Sequence, residues 1–339
     1  MLVDRMEAMI KQTGNNGFHF VDEAAPPALM RDVALEIIRR GLTVVWWTNI
    51  RFEKSFTKDL CQILVRSGCI AVSGGLEVAS DRLLELIDKG VTVSQVAQVA
   101  DHFTQAGILV HAYLMYGFPT QTAQETVDSL EVVRQLVENG VVHSGFWHQF
   151  ALTAHSPVGL NPEAYKIEIL NPTPGSFANN DLEHADPTGT DHALFSEGLK
   201  KSLFNYMHGI GLDMPLQEWF DFKIPRTQIP KNYIARILSQ KEDTFPKPTA
   251  KIVWLGPSPS KVKRALLFSS GREEVELEVP EKLGVWLMNA LPALSLGTEK
   301  TGTFAEFQAA YSKAALGNFE HFWEGEVAEE LREMGLLVV

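Results

Sequence analysis

Short apolar runs alternate with amphipathic stretches through the first half of the chain. Five apolar runs predict strands, at 18–23, 42–49, 69–75, 108–117 and 141–152. The segments between them space their apolar residues as helices do, with Pro26-Pro27 opening the first helix. This alternation predicts right-handed βαβ units and a parallel sheet. Trp46 and Trp47 should face opposite sides of their strand, and we expect both to contribute to the core.

Polar and glycine residues gather where the predicted strands end. In parallel α/β sheets, ligands bind beyond the carboxyl ends of the strands, which all meet at one edge. The ends here carry Asp22, Glu23, Asn49, Arg51, Glu77, Gly117 and Ala151. The pattern therefore predicts a single site at this edge of the sheet.

The amino-acid composition of the chain changes after residue 155. Residues 171–191 are rich in Pro, Gly, Asn and Asp and predict a long loop, and 224–249 hold four prolines. Beyond them, "AKIVWLG", "KRALLFSS" and "EEVELEVP" predict short antiparallel strands, followed by three helices. We therefore predict two domains, 1–235 and a small α+β domain at 236–339.

Composition and charge narrow the function class. The chain has 339 residues, a net charge of −12 and no clustered Lys/Arg stripe, which argues against a nucleic-acid surface and favours a small-molecule substrate. It lacks an apolar run of membrane-spanning length, and its first residues do not form a signal peptide, so we expect no membrane contact and a cytoplasmic location. Its two cysteines, Cys61 and Cys69, form no disulfide framework and no metal-site spacing.

Four stretches, in this order and spacing, resemble one family: "FHFVDEA", "WWTNIRFE", "GLE.AS..LL.L.DKG" and "GI.VHAYLMYGFPTQT..ET..SL". They are similar to the barrel of radical S-adenosylmethionine (SAM) enzymes, in particular the subgroup that often carries a cobalamin domain. The similarity covers about residues 10–155. It implies an incomplete (β/α)6 TIM-like partial barrel, with the small α+β domain appended at the C-terminus.

The resemblance also implies roles for individual residues. Asp22 and Glu23 would meet the methionine end of SAM, Glu77 its ribose, and Lys89 its carboxylate. Tyr113 and the turn containing Gly117 and Pro119 would approach the cofactor, Ala151 would lie against adenine, and Asn49 and Arg51 would complete the rim. His155, just beyond the last strand, is a candidate for touching substrate.

One family feature is missing. Members of the family hold a [4Fe–4S] cluster with CxxxCxxC after their first strand, where it cleaves SAM to a 5′-deoxyadenosyl radical. No such motif occurs here, and the resemblance places Cys61 and Cys69 where neither substitutes for it. The five strands would match the family's second to sixth. The open edge at 18–23 then implies either a fragment of a longer protein or another segment or partner that covers it.

Several residues admit a second interpretation. Glu77 could be a helix N-terminal carboxylate, Asp22-Glu23 a capping pair, and Arg51 a surface ion-pair partner of Glu53 or Glu23. His184, Asp186, Asp191 and His192 could hold a metal, although polar loops commonly carry such residues for solvation.

The resemblance implies a radical SAM-type enzyme whose 5′-deoxyadenosyl radical acts on an unidentified substrate. Two other functions are alternatives to this one. One is a phosphate-binding barrel that uses Glu77 or Lys89 as acid or base, for which no late Gly-rich loop is present. The other is a non-catalytic, degenerate barrel kept for binding SAM or a partner. Cobalamin is a further cofactor that the subgroup implies.

Overall fold

The computed structural model of the chain describes residues 1–171, 180–188, 190–240, 245–262, 265–271, 273–297 and 302–339. Its main sheet has five parallel strands in the order β1-β2-β3-β4-β5. The strands are β1 (Gly17–Phe20), β2 (Val45–Ile50), β3 (Cys69–Glu77), β4 (Leu109–Tyr116) and β5 (Ser144–Gln149). Each neighbour in sequence is the neighbour in space, as in an incomplete (β/α)6 barrel, so the predicted α/β fold class is confirmed.

One helix precedes the first strand, others connect the strands, and together they cover one face of the sheet. They are α1 (Leu2–Thr13), α2 (Pro27–Arg39), α3 (Lys58–Arg66), α4 (Asp81–Leu86), α5 (Val93–Gln105) and α6 (Ala123–Glu138). Strand residues alternate accordingly: Trp46, Thr48 and Ile50 of β2 are buried against the helices, whereas Val45 and Trp47 are exposed on the other face. The expectation that both tryptophans join the core is therefore wrong for Trp47, which is 38% exposed.

The first strand is shorter than expected. β1 ends at Phe20 rather than at residue 23, so Asp22 and Glu23 lie in the following loop. α2 begins at Pro27 as proline chemistry predicts, and its N-cap is Pro26 with no side-chain capping bond. The interpretation of Asp22-Glu23 as a capping pair is therefore wrong.

The segment after β5 packs against α6 and the sheet. It contains α7 (Pro157–Leu160), the hairpin pair β6 (Glu168–Ile169) and β7 (His184–Ala185), α8 (Ser196–Tyr206) and α9 (Tyr233–Leu238). Much of the predicted 171–191 loop, residues 172–179 and 189, lies outside the described residues. The described part is antiparallel where Ile169 pairs with His184.

The C-terminal region contains β8 (Ile252–Trp254), β9 (Pro259–Val262), β10 (Ala265–Ser270), β11 (Glu273–Glu278), α10 (Glu281–Ala293), α11 (Phe304–Lys313), α12 (Phe319–Trp323), α13 (Glu326–Met334) and β12 (Leu336–Val338). The described residues thus hold four helices after β11 rather than three. β8 pairs antiparallel with β12 and lies outside the three-stranded sheet of β9, β10 and β11.

The β8–β12 ribbon is shared between two hydrophobic clusters. Val253 and Leu337 belong to the barrel cluster, whereas Ile252, Trp254 and Leu336 belong to a second cluster formed by the C-terminal helices. This division follows from the two-residue period of a strand. The domain boundary at 235/236 stays a prediction. No helix within the described ranges combines the length and the apolar character needed to cross a bilayer.

Helix α3 anchors this ribbon at both of its ends. At the first turn, an Asp59 carboxylate oxygen accepts a hydrogen bond from the Val338 backbone N–H at 2.7 Å. At the last turn, the Arg66 guanidinium donates to the carbonyl oxygens of Glu333 and Met334. Loss of hydration through burial raises the pKa of the Asp59 carboxyl, although the bond from Val338 and the charge of Arg332 oppose that shift.

We expect Asp59→Asn to have a higher free energy of unfolding than the parent chain at pH 7. The amide keeps a carbonyl acceptor for Val338 and removes the cost of burying a charge. Because the folded-state pKa is raised, the carboxyl costs stability as pH rises above the unfolded value near about 4. The difference should therefore shrink as pH falls below that value. Urea denaturation at pH 7 and pH 4 measures it, with exposed Asp213→Asn as control; a variant less stable at pH 7 contradicts this account.

Candidate functional site

The end of β3 brings the candidate site together. Lys89 Nζ lies 2.5 Å from a Glu77 carboxylate oxygen, and both side chains are only about one quarter exposed, at 24% and 22%. The Arg51 guanidinium, from the loop after β2, donates a hydrogen bond to the Lys89 carbonyl oxygen. Two cations and one carboxylate therefore meet at this edge of the sheet, and they come from two different connections.

Glu77 reaches this position through an unusual backbone. Its φ is 58°, in the left-handed region that non-glycine residues rarely adopt, and the register with β4 shifts between Gly75 and Glu77. Such strain persists only where surrounding contacts impose it, and it concentrates at functional sites. Glu77 is the last residue of β3, while α4 begins at Asp81 with Ser80 as N-cap. The interpretation of Glu77 as a helix N-terminal carboxylate is therefore wrong.

The two glycines before Glu77 have separate reasons for lacking a side chain. A Cβ on Gly75 would lie 2.1 Å from a Glu77 carboxylate oxygen and 2.7 Å from Lys89 Nζ. A Cβ on Gly74 would lie 2.4 Å from the ring of Phe52, which is buried on the opposite face. Gly75 thus leaves space for the Glu77–Lys89 ion pair to lie over the strand. Gly74 leaves space for the buried Phe52 ring on the other face.

The loop after β1 is tied to the end of β2. The Asn49 side-chain amide donates to the Asp22 carbonyl oxygen at 3.2 Å, and the Ala25 N–H donates to the Asn49 carbonyl oxygen at 2.9 Å. Asp22 and Glu23 are exposed next to this tie. Asn49 therefore positions the loop, a role that its place at a strand end alone did not reveal.

The turn after β4 is held by its own polar residues. Gly117 has a φ of 78°, and the Gln121 side-chain oxygen accepts hydrogen bonds from the N–H groups of Gly117 and Phe118 at 2.7 and 3.2 Å. Pro119 is buried in this turn. The Thr120 N–H donates to an Asp186 carboxylate oxygen at 2.9 Å.

The His/Asp group in the later loop serves the fold in the described residues. Asp186 accepts from Thr120 and Thr188, Asp191 caps the short helix at His192–Phe195, and His184 packs edge-on against Phe150. Within the described part of the chain, no group of three or more His, Cys, Asp or Glu side chains is arranged to hold a metal ion.

His192 nevertheless differs from its neighbours. It is 8% exposed, its side chain packs against Gly117, and neither ring nitrogen has a hydrogen-bond partner of normal geometry among the described residues. Burial lowers its pKa, although Asp186, the Gln121 backbone and Asp191 oppose that shift.

The remaining candidates lie along β4 and after β5. Tyr113 is paired in register with Gly75 and is 39% exposed on the face that the helices leave uncovered. Ala151 and His155 are exposed in the connection that follows β5. These placements put Tyr113 beside the Glu77 cluster and put the other two at the carboxyl edge of the sheet.

The face left uncovered by the helices carries a feature that sequence reasoning missed. Trp47, Tyr113 and Phe146 expose their rings there, and His19 stacks on Trp47 with ring centres 4.7 Å apart. The signal was present as alternating aromatic residues in β2, β4 and β5, but the sequence does not say which face is covered.

The two cysteines do not fit a [4Fe–4S] cluster. Cys61 and Cys69 are both buried, on α3 and on the helix-covered face of β3. Cluster ligands must be thiolates. Burial raises the pKa of Cys69 to about 12 and raises that of Cys61 as well, so both stay protonated thiols at neutral pH.

The comparisons with known proteins agree with the resemblance. Residues 2–133 match the family model described as the radical SAM superfamily, which confirms the resemblance for that segment. An uncharacterized methyltransferase of Pyrococcus horikoshii is 25% identical over 137 residues, 40% of this chain and 30% of the relative. The anaerobic magnesium-protoporphyrin IX monomethyl ester cyclase of Rubrivivax gelatinosus is 27% identical over 138 residues, 39% of this chain and 24% of the relative.

A solved structure is also similar. The radical SAM methyltransferase TsrM of Kitasatospora setae matches with a TM-score of 0.44 and 17% identity, over 60% of this chain and 46% of the other. The matches to the two curated relatives span less than a third of those proteins' own lengths, 30% and 24%.

The two glycines of β3 should respond differently to alanine. We expect Gly74→Ala to lower the free energy of unfolding by about 1–3 kcal/mol, because its methyl group would overlap a buried ring. Gly75→Ala should lower it by less than about 1 kcal/mol, because its methyl group meets only the mobile ends of Glu77 and Lys89. Chemical denaturation of both variants tests this. Equal losses would contradict this account, because they would mean that Glu77 and Lys89 cannot move away from the added methyl group.

Proposed function

We propose that this chain provides the SAM-binding barrel of a radical SAM-type enzyme. The observation that carries the proposal is the strained Glu77, whose carboxylate lies beside Lys89 above Gly75 at the carboxyl edge of a parallel sheet. Backbone strain of this kind concentrates at active sites and ligand-binding sites, where the surrounding structure holds it in place. The radical SAM family match over residues 2–133 supports the identity of the ligand.

The charges of these residues, and their place at the carboxyl edge of the sheet, support SAM as the ligand. The Glu77 carboxylate is an acceptor for the ribose hydroxyls, and the Lys89 ammonium is a partner for the SAM carboxylate once it exchanges its bond to Glu77. Asp22 and Glu23 would pair with the amino group at the methionine end, close to Asn49. The Gly117 turn and Ala151 would border the adenine.

When bound, SAM is the source of radical chemistry in this superfamily, after reductive cleavage at a [4Fe–4S] cluster. This chain's part is to bind and orient SAM and to keep water from it. Its two buried cysteines do not fit the cluster, so we derive no step through it. We propose that the cysteine ligands belong to a further segment of the protein or to a partner. Cobalamin remains a proposed additional cofactor, as in the subgroup that the sequence resembles.

The outer edge of β1 is the place for that further segment. β1 is the edge strand of the sheet and pairs with β2 alone in the described structure. An unpaired edge presents backbone N–H and C=O groups to any extended segment. We propose that a preceding strand, or one from a partner, pairs there and places its loop at the carboxyl edge beside Asp22.

The second candidate function is non-catalytic binding of SAM. The buried, protonated state of Cys61 and Cys69 favours it for the chain taken alone. Anaerobic reconstitution with iron and sulfide, followed by electron paramagnetic resonance, separates the two functions. A cluster signal in a longer form of the protein, but not in this chain, supports the enzyme. The absence of a signal in both supports the non-catalytic SAM-binding protein.

We expect Glu77→Gln to weaken SAM binding at least about tenfold. Hydrogen bonds to a charged acceptor contribute about 1.5–3 kcal/mol, and about 1.4 kcal/mol corresponds to a factor of ten. Equilibrium dialysis with SAM measures the dissociation constant.

The matched control is Glu330→Gln, an exposed glutamate on α13. It should leave the dissociation constant unchanged. Equal affinity of the Glu77→Gln variant and the parent chain would contradict the ribose contact, and a parent chain that does not bind SAM would contradict the proposed function itself.

A further inference from the structure

The inner face, meaning the face of the main sheet that the helices leave uncovered, is organised in rows across the strands. The register places His19, Trp47, Ala71 and Leu109 side by side in one row. The next row holds Asn49, Ser73, His111 and Ser144, and a third holds Gly75, Tyr113 and Phe146. Adjacent strands lie about 4.8 Å apart, so each row is a nearly straight line of side chains.

The middle strand contributes only small side chains to these rows. Ala71, Ser73 and Gly75 of β3 alternate with Val72, Gly74 and Leu76, which are buried on the other face. Large rings stand on the strands to either side. The inner face is therefore a groove, with β3 as its floor and aromatic side chains as its walls; we refer to it as the inner groove.

Neighbouring side chains hold the wall rings in place. Trp47 stacks on His19 at an interplanar angle of 16°, and Phe146 contacts His148 with ring centres 4.6 Å apart. His111 bonds the Ser144 hydroxyl at 2.8 Å and packs edge-on against Tyr113. Because these rings are already ordered, a ligand that contacts them loses little additional side-chain entropy.

The inner groove is almost free of charge. Glu77 is the only Asp, Glu, Lys or Arg residue in the five strands, and it lies at the end of the groove that Lys89 and Arg51 also border. Burial, and the nearby His148, lower the pKa of His111, so its imidazole is neutral at pH 7. Charge complementarity thus favours a ligand whose part within the groove is uncharged.

The exposed aromatic rings indicate which class of ligand the inner groove binds. Trp47 is 38% exposed and Phe146 is 51% exposed, on a face whose other large side chains are also apolar or aromatic. Aromatic rings gain most from other planar rings, in stacked or edge-to-face contact. An aliphatic ligand of equal size would bury similar area without that additional interaction.

We propose that the inner groove binds the planar, uncharged ring system of an aromatic substrate, seated over Ala71 and Ser73 with Trp47 on one side and the rings of Tyr113 and Phe146 on the other. This inference rests on the proposed function, because it places the substrate next to the Glu77 end of the groove. A strand added at the edge of β1 would extend the sheet and leave the groove over β3 open.

Indole is the probe for this proposal, and cyclohexanol is the non-planar comparison of similar size. Ligand-observed NMR titration of the chain measures both dissociation constants. We expect indole to bind more tightly, and we expect Trp47→Leu and Phe146→Leu each to weaken it about three- to tenfold. The control is Phe204→Leu, which removes a 61% exposed ring from α8 on the outer side.

Several results would overturn the proposal. They are absence of indole binding, equal binding of indole and cyclohexanol, and equal affinity of both groove variants and the parent chain. Size-exclusion chromatography tests whether a second copy of the chain occupies the groove; dimers that dissociate in the Trp47→Leu variant would mean that it does. Using two groove variants keeps the test decisive if one fails to fold.

The same samples separate this inference from the proposed function. SAM binding that depends on Glu77, without ring-dependent indole binding, would overturn the aromatic substrate and leave the SAM site intact. Indole binding that depends on Trp47 and Phe146, without SAM binding, would overturn the proposed function.

Discussion

The absence of a side chain at Gly75 is the constraint on which the site depends. It leaves space directly above β3, and the Glu77 carboxylate and Lys89 ammonium fill that space. Alternation along β3 places Glu77 on the same face as Gly75, and Glu77 ends the strand there with a left-handed backbone. The missing side chain at Gly75 therefore leaves room for a carboxylate that the strand already directs to this face.

A second organising fact is that, among the residues that the structure describes, helices cover one face of the sheet and leave the other open. The helices bury Trp46, Val72 and Trp147, and the alternate residues face the barrel interior. A closed barrel would fill this interior with layers of side chains. Here the open interior keeps small residues on β3 and rings on its neighbours, which leaves space for a ligand beside the polar edge.

The C-terminal region is attached to the outside of this framework. The β8–β12 ribbon contributes one face to each hydrophobic cluster, and α3 anchors it through Asp59 and Arg66. α3 also carries Cys61, so the helix that holds the ribbon buries a thiol rather than presenting it to the site. These contacts are consistent with a structural role for the C-terminal region, on the far side of the sheet from the inner groove.

The sequence by itself determined the order and type of the elements in the first half, because helical and strand periods differ and glycine and proline mark their ends. It also placed Glu77, Arg51 and Gly117 at one edge, since parallel strands share that edge, whereas Lys89 came only from the family resemblance. It could not determine that Glu77 ends a strand, or that Trp47 is exposed. Only the tertiary structure decided these, because strain and exposure depend on what packs against each face, and local periodicity does not record that. The pairing of β8 with β12 was likewise beyond local pattern, since more than 80 residues separate the two strands.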